Sequence, residues 1–159
     1  MARPERKEEW PSPNKEMTHR EVRLHCRLRT PRVPEEEVVA FALDALSRLD
    51  LEGEVGIKIC SDRAMASFNR KFRGRRGATD VLSFPDGAAG PDGRPYLGDI
   101  LIAGPVAQRA AGEAGIPVGV EMKRLVLHGI LHLAGYDHET DGGAMARKER
   151  ALRKEWGIP

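Results

Sequence analysis

Three of the chain's five histidines fall in one short stretch, LHGILHLAGYDH at 127–138, and their spacing demands a break in the backbone. An α-helix advances about 100° per residue, so His128 and His132 lie one turn apart on one face and can grip a single metal ion. His138 cannot join them from the same helix, because ten residues from His128 is about 15 Å along the axis. A fold that uses all three must end the helix after His132 and bring the chain back. Gly135 stands where a left-handed C-terminal cap is required, a conformation glycine adopts without a Cβ penalty. Three imidazoles with a fourth position open describe a catalytic zinc site, since structural sites usually fill all four positions from the protein. The expected cofactor is Zn2+, one per chain, held by His128, His132 and His138.

The same spacing, with the same glycine, occurs in the metzincin proteases, whose motif reads H-E-x-x-H-x-x-G-x-x-H. The position after the first histidine is Gly129 here rather than glutamate. In the proteases that glutamate is the general base toward the metal-bound water. A zinc site without it still lowers the pKa of bound water towards about 7, but it lacks the group that drives peptide hydrolysis. A zinc metalloprotease or another small-substrate zinc hydrolase is therefore the alternative enzyme reading.

The rest of the sequence places this site in an ordinary folded domain. The 159 residues suit one domain with an adequate core, expected over 21–159. With 40% hydrophobic and 31% charged residues, the composition excludes a disordered chain. The net charge of +2 does not define a partner. No apolar run is long enough to cross a bilayer and no apolar segment follows the first methionine, so a cytoplasmic protein without a membrane partner is expected. Cys26 and Cys60 lack metal or redox spacing and fall on the apolar phase of expected strands, as small buried hydrophobes of a reducing compartment do.

Residues 1–20 mix prolines with charges of both signs and lack periodicity, which predicts a flexible N-terminal extension holding Trp10 and a solvated His19. Alternation of Val22, Leu24, Cys26 and Leu28 predicts a half-buried strand over 21–29, with His25 on its polar side. Pro34 and three glutamates open a helix ending near Asp50, with Val38, Phe41, Ala42 and Leu46 on its apolar face. A strand over 55–60 follows, and Ser61 or Asp62 caps a helix running to about Phe72. Strands are expected over 80–84 and, centrally, over 96–103, with a Gly- and Pro-rich loop between them. Three helices close the chain: 105–114, the metal-binding helix 118–133, apolar almost all round in its later turns, and 144–156. The order predicts an α+β domain with one mixed sheet of about four strands covered by about five helices.

Arg70, Lys71, Arg73, Arg75 and Arg76 form a dense basic loop around Phe72. The strand that follows directly anchors it, and a positioned cationic surface with an aromatic inside suits a nucleic-acid backbone.

Three blocks, FNRKFRGRRGATDVLSFP (68–85), LGDILIA (97–103) and LVLHGILHLAGYDH (125–138), resemble the bacterial YbeY family of metal-dependent endoribonucleases. The family pattern commonly has proline where this chain has Ala78, and the segment after His138 is richer in glycine, at Gly142 and Gly143, than the family leads one to expect. The resemblance implies a single-strand-specific endoribonuclease in ribosomal RNA maturation, at the 3′ end of 16S rRNA, and in ribosome quality control. It implies His128, His132 and His138 as zinc ligands and Arg73 and His128 as catalytic residues. Arg70, Lys71, Arg73, Arg75 and Arg76 are the expected RNA contacts, and small-subunit ribosomal proteins or a ribosome-associated GTPase the expected protein partners. Arg73 supplies a planar guanidinium that matches phosphate bidentately. Asp137, beside a ligand, is a candidate for orienting a histidine or a water, with a turn role as its alternative. Asp80 and Asp99 are expected in turn or strand-end roles. A non-enzymatic ribosome assembly factor with a structural zinc is the third reading.

Overall fold

The computed structural model describes residues 19–90 and 93–159. The elements run β1 (Arg20–Cys26), α1 (Glu35–Arg48), β2 (Gly53–Cys60), α2 (Asp62–Arg73), β3 (Val81–Pro85), β4 (Tyr96–Ala103), α3 (Gly104–Ala114), α4 (Val118–Leu133) and α5 (Ala144–Glu155). The expected α+β domain, with one mixed four-stranded sheet and five helices, is what these residues form. Most of the extension expected over 1–20, Trp10 included, lies outside the described residues, and Arg20 already belongs to β1.

The sheet order is β1-β2-β4-β3, with the first three strands parallel and β3 antiparallel at the edge. β4 is interior, as its apolar density requires: Ile100, Leu101, Ile102 and Ala103 are all buried. Side-chain alternation divides the core between the two faces. Val55, Ile57, Ile59, Ile100 and Ile102 join the large cluster with α1 and α4. Cys60, Leu82, Leu101 and Ala103 form a smaller one with Met65 of α2, flanked by Phe68 and Phe84. Both cysteines are free thiols, and burial pushes the Cys60 thiol pKa up.

α4 is the central helix, packed against α1, α3, α5, β3 and β4. No helix among the described residues is long and apolar enough to cross a membrane. α5 folds back over the large cluster through Met145 and Leu152, and Trp156 just beyond it donates from Nε1 to Asp44 at 2.7 Å.

One local expectation needs correcting. Arg70, Lys71 and Arg73 are not loop residues but the last turn of α2, which ends at Gly74 with φ of 64°. Cations in a last turn complement the exposed carbonyls there, so the basic run prolongs the helix until glycine stops it.

Candidate metal centre

The end of α4 is built as its glycine requires. Gly135 has φ of 96°. Its N–H donates to the His132 carbonyl at 3.0 Å, and the Tyr136 N–H donates to the Leu131 carbonyl at 3.1 Å. These paired bonds are a Schellman motif, and they turn the chain so that His138 returns over the face of α4 that carries His128 and His132. Ligand nitrogens from the three rings all lie within 4.8 Å of one another. The His138 Nδ1 to His132 Nε2 separation is 3.0 Å.

A tetrahedral zinc with bonds of about 2.0–2.1 Å holds its nitrogen ligands roughly 3.3 Å apart. The cluster is near that spacing, and three neutral imidazoles are the donor chemistry such an ion takes, so the group fits a metal ion. Burial, then the neighbouring charges of His128 and His138, pulls the His132 pKa below its usual value. That shift favours the neutral ring, the form with a lone pair to donate.

Glu149 on α5 completes the arrangement. Its Oε2 lies 3.0 Å from His128 Nδ1, which leaves Nε2 of that ring for an ion. A carboxylate behind a ligand imidazole fixes its tautomer and orientation. The sequence reading missed Glu149 and considered Asp137 instead. Asp137 spends its oxygens on its own turn, accepting from Glu139 N–H and Thr140 Oγ1 at 3.0 Å each, and these bonds lower its pKa. Asp80 accepts from Val81 N–H at 2.8 Å and Asp99 from the Tyr96 hydroxyl at 2.6 Å, the turn and strand roles expected of them.

Arg73 shares a cavity of about 60 Å³ with His128, His132 and His138, and Val81, Leu82 and Ser83 of β3 complete its wall. Ser83 too was missed. The rest of the basic run does not enter this cavity. Arg70, Lys71 and Arg76 line a wider cleft of about 750 Å³ on the flank of α2. Arg75 reaches Glu139, one residue past the third histidine, at 3.9 Å. Helical phase accounts for Lys71, which leaves the helix about 160° round from Arg73, whereas Arg70 lies only about 60° from it and differs in sitting one turn further back along the axis. Buried Asn69 ties the loop down by donating from Nδ2 to the Gly77 carbonyl at 2.9 Å. Phe72, between Lys71 and Arg73, is 53% exposed, the one large apolar side chain so placed among the described residues.

Comparison with known proteins agrees with this geometry. The sequence model described as Endoribonuclease YbeY matches residues 25–157. The Endoribonuclease YbeY of Anaeromyxobacter sp. is 44% identical over 121 residues, 75% of this chain but 62% of that protein. This chain therefore accounts for somewhat less than two thirds of that relative's length. Those of Koribacter versatilis and Aquifex aeolicus are 38% and 39% identical over 130 and 131 residues, covering 80% and 82% of this chain and 80% and 86% of theirs. The solution structure of TM1509 from Thermotoga maritima superposes with a TM-score of 0.59 at 25% identity, covering 86% of this chain and 89% of that one. A match from residue 25 to 157 that contains the histidines, the arginine and every helix places the chain in the endoribonuclease YbeY family.

Proposed function

We propose that this protein is a zinc-dependent endoribonuclease that cuts single-stranded RNA in ribosomal RNA maturation, with His128, His132 and His138 holding the ion. The observation that carries this reading is the position of Arg73, in the wall of the same small cavity as the three histidines although it comes from another layer of the fold. When bound, zinc supplies Lewis-acid charge to a phosphate oxygen and an activated water. Arg73 holds fixed positive charge where a phosphodiester gains negative charge in its transition state. Glu149 keeps His128 in one orientation. Arg70, Lys71 and Arg76 line a cleft in which a strand's phosphates can run, and exposed Phe72 offers a face on which a base can stack. A cytoplasmic site of action, on the small ribosomal subunit and beside its proteins or a ribosome-associated GTPase, accompanies this reading. Metal analysis of the purified protein, paired with cleavage of ribosomal RNA with and without chelator, tests it. Activity that survives complete metal removal overturns it.

Gly129 weighs against a protease. A Cβ placed there meets the Ile100 side chain at 2.7–2.9 Å, so the helix has no room for a glutamate at the protease position. Gly129→Glu is expected to be destabilised by overpacking, by about 1–3 kcal/mol or more, and to gain no peptidase activity. Thermal unfolding and an unstructured-peptide assay check this, and robust peptide cleavage by the unmodified protein removes the nuclease reading.

Glu149→Ala is expected to lower zinc affinity by about 10- to 100-fold, the usual cost of removing the group behind a ligand histidine. Competition with a chelator of known affinity measures it. Unchanged affinity means that Glu149 does not position His128.

A further inference from the structure

β3 is the sheet edge beside the histidines, and its backbone offers the cavity one donor only. Ala103 N–H donates to the Asp80 carbonyl at 2.9 Å, and Asp86 N–H to the Leu97 carbonyl at 3.0 Å. With the register running from Val81↔Ile102 to Pro85↔Gly98, Leu82 and Phe84 bond to β4. Val81, Ser83 and Pro85 therefore turn their backbone groups to the free edge. Of these, the Val81 N–H is taken by Asp80 Oδ1 at 2.8 Å, and a proline has none to give. The Ser83 N–H is left, without a hydrogen-bond partner among the described residues. Ser83 also lines the cavity that holds Arg73 and the histidines.

An added strand needs donors at every second residue of the edge, and this edge withholds them on both sides of Ser83. A single N–H beside a guanidinium suits one anionic oxygen instead. Its direction is set in advance, because the Ser83 Oγ lies 3.5 Å from the Gly129 carbonyl of α4 and the preceding Leu82 is 3% exposed. We infer that the Ser83 backbone N–H is a fixed hydrogen-bond donor to a non-bridging oxygen of the phosphodiester bound in this cavity. The inference rests on the RNA-cleaving reading and adds to it a substrate contact made by backbone.

The test uses zinc-loaded protein. On titration with dimethyl phosphate, the Ser83 amide resonance is expected to move in a saturable way and the Val81 amide, already bonded, much less. Ser83→Pro deletes the hydroxyl together with an outward-facing N–H whose loss an edge strand tolerates. Ser83→Ala keeps the N–H and serves as the reference for loss of the hydroxyl. With zinc content and melting temperature matched, Ser83→Pro is expected to turn over RNA about 10- to 100-fold more slowly than Ser83→Ala, the scale of one lost preorganised donor. A Ser83 amide that stays still while the diester moves Arg73 signals overturns the inference, even where Ser83→Pro does not fold. So does an amide that moves with an extended peptide and not with the diester. Failure of the RNA-cleaving reading shows separately, as zinc-loaded wild type that cuts no RNA.

Discussion

Arg73→Ala is expected to lose about 100-fold or more in turnover at saturating RNA while keeping its fold, its zinc and most of its RNA affinity. The guanidinium sits on an exposed last helical turn and points to the histidine cavity. Its removal leaves no hole in the core. What it takes away is charge that matters most as the phosphate becomes more negative, and such an interaction lowers turnover when lost rather than binding. Arg73→Lys is expected to recover part of the loss, since an ammonium cannot reproduce the planar fork. The comparison is the Arg75→Ala, Arg76→Ala double variant. Those side chains lie outside the cavity, one near Glu139 and one on the wider cleft. Their loss should weaken RNA binding broadly and reduce its salt dependence by at most about one unit of slope per phosphate contact. Single-turnover cleavage at saturating enzyme separates the two. A double variant that loses chemistry while Arg73→Ala keeps it reverses the assignment.

His132→Ala is expected to lose most of its zinc. Two remaining ligands rarely hold the ion, and binding to the folded state alone is a large stabilising term, about 4 kcal/mol at a free ion concentration a thousandfold above Kd. The wild-type protein should therefore melt higher with zinc than with chelator, and the variant should show almost no difference. Metal content of the purified variant, read beside paired melting curves, decides the matter. A full complement of zinc in His132→Ala removes the site as described.

The sheet, the helices and the histidine cluster were legible because each leaves a short-range signature. Alternation marked the strands, and one helical turn separates His128 from His132. The glycine whose left-handed cap turns His138 back is three residues beyond His132. Glu149 left no such trace. It approaches His128 from another helix, 21 residues on, and in the sequence it is one charge among Arg147, Lys148 and Arg150. Only the packing of α5 on α4 singles it out. The basic run was legible as charge and illegible as direction, because its assignment turned on whether Phe72 or Gly74 ended α2. Ser83 was invisible for a different reason: what it presents is main chain, selected by the register of β3 on β4 rather than by residue type.

The two halves of the site stand in different layers. Arg73 belongs to a helix that packs on the small cluster around Met65, Leu82 and Leu101. The histidines belong to one seated on the opposite cluster, with Ile100 and Ile102. Between them lies the width of a single edge strand, so β3 acts as a spacer gauge that sets the gap between guanidinium and imidazoles. Thinning the shim from below, as in Leu82→Ala, changes that gap without touching a ligand. Since a displacement of about 1 Å at a reacting centre can cost on the order of 100-fold, the working clearance of this site is set by the hydrophobic packing beneath its edge strand.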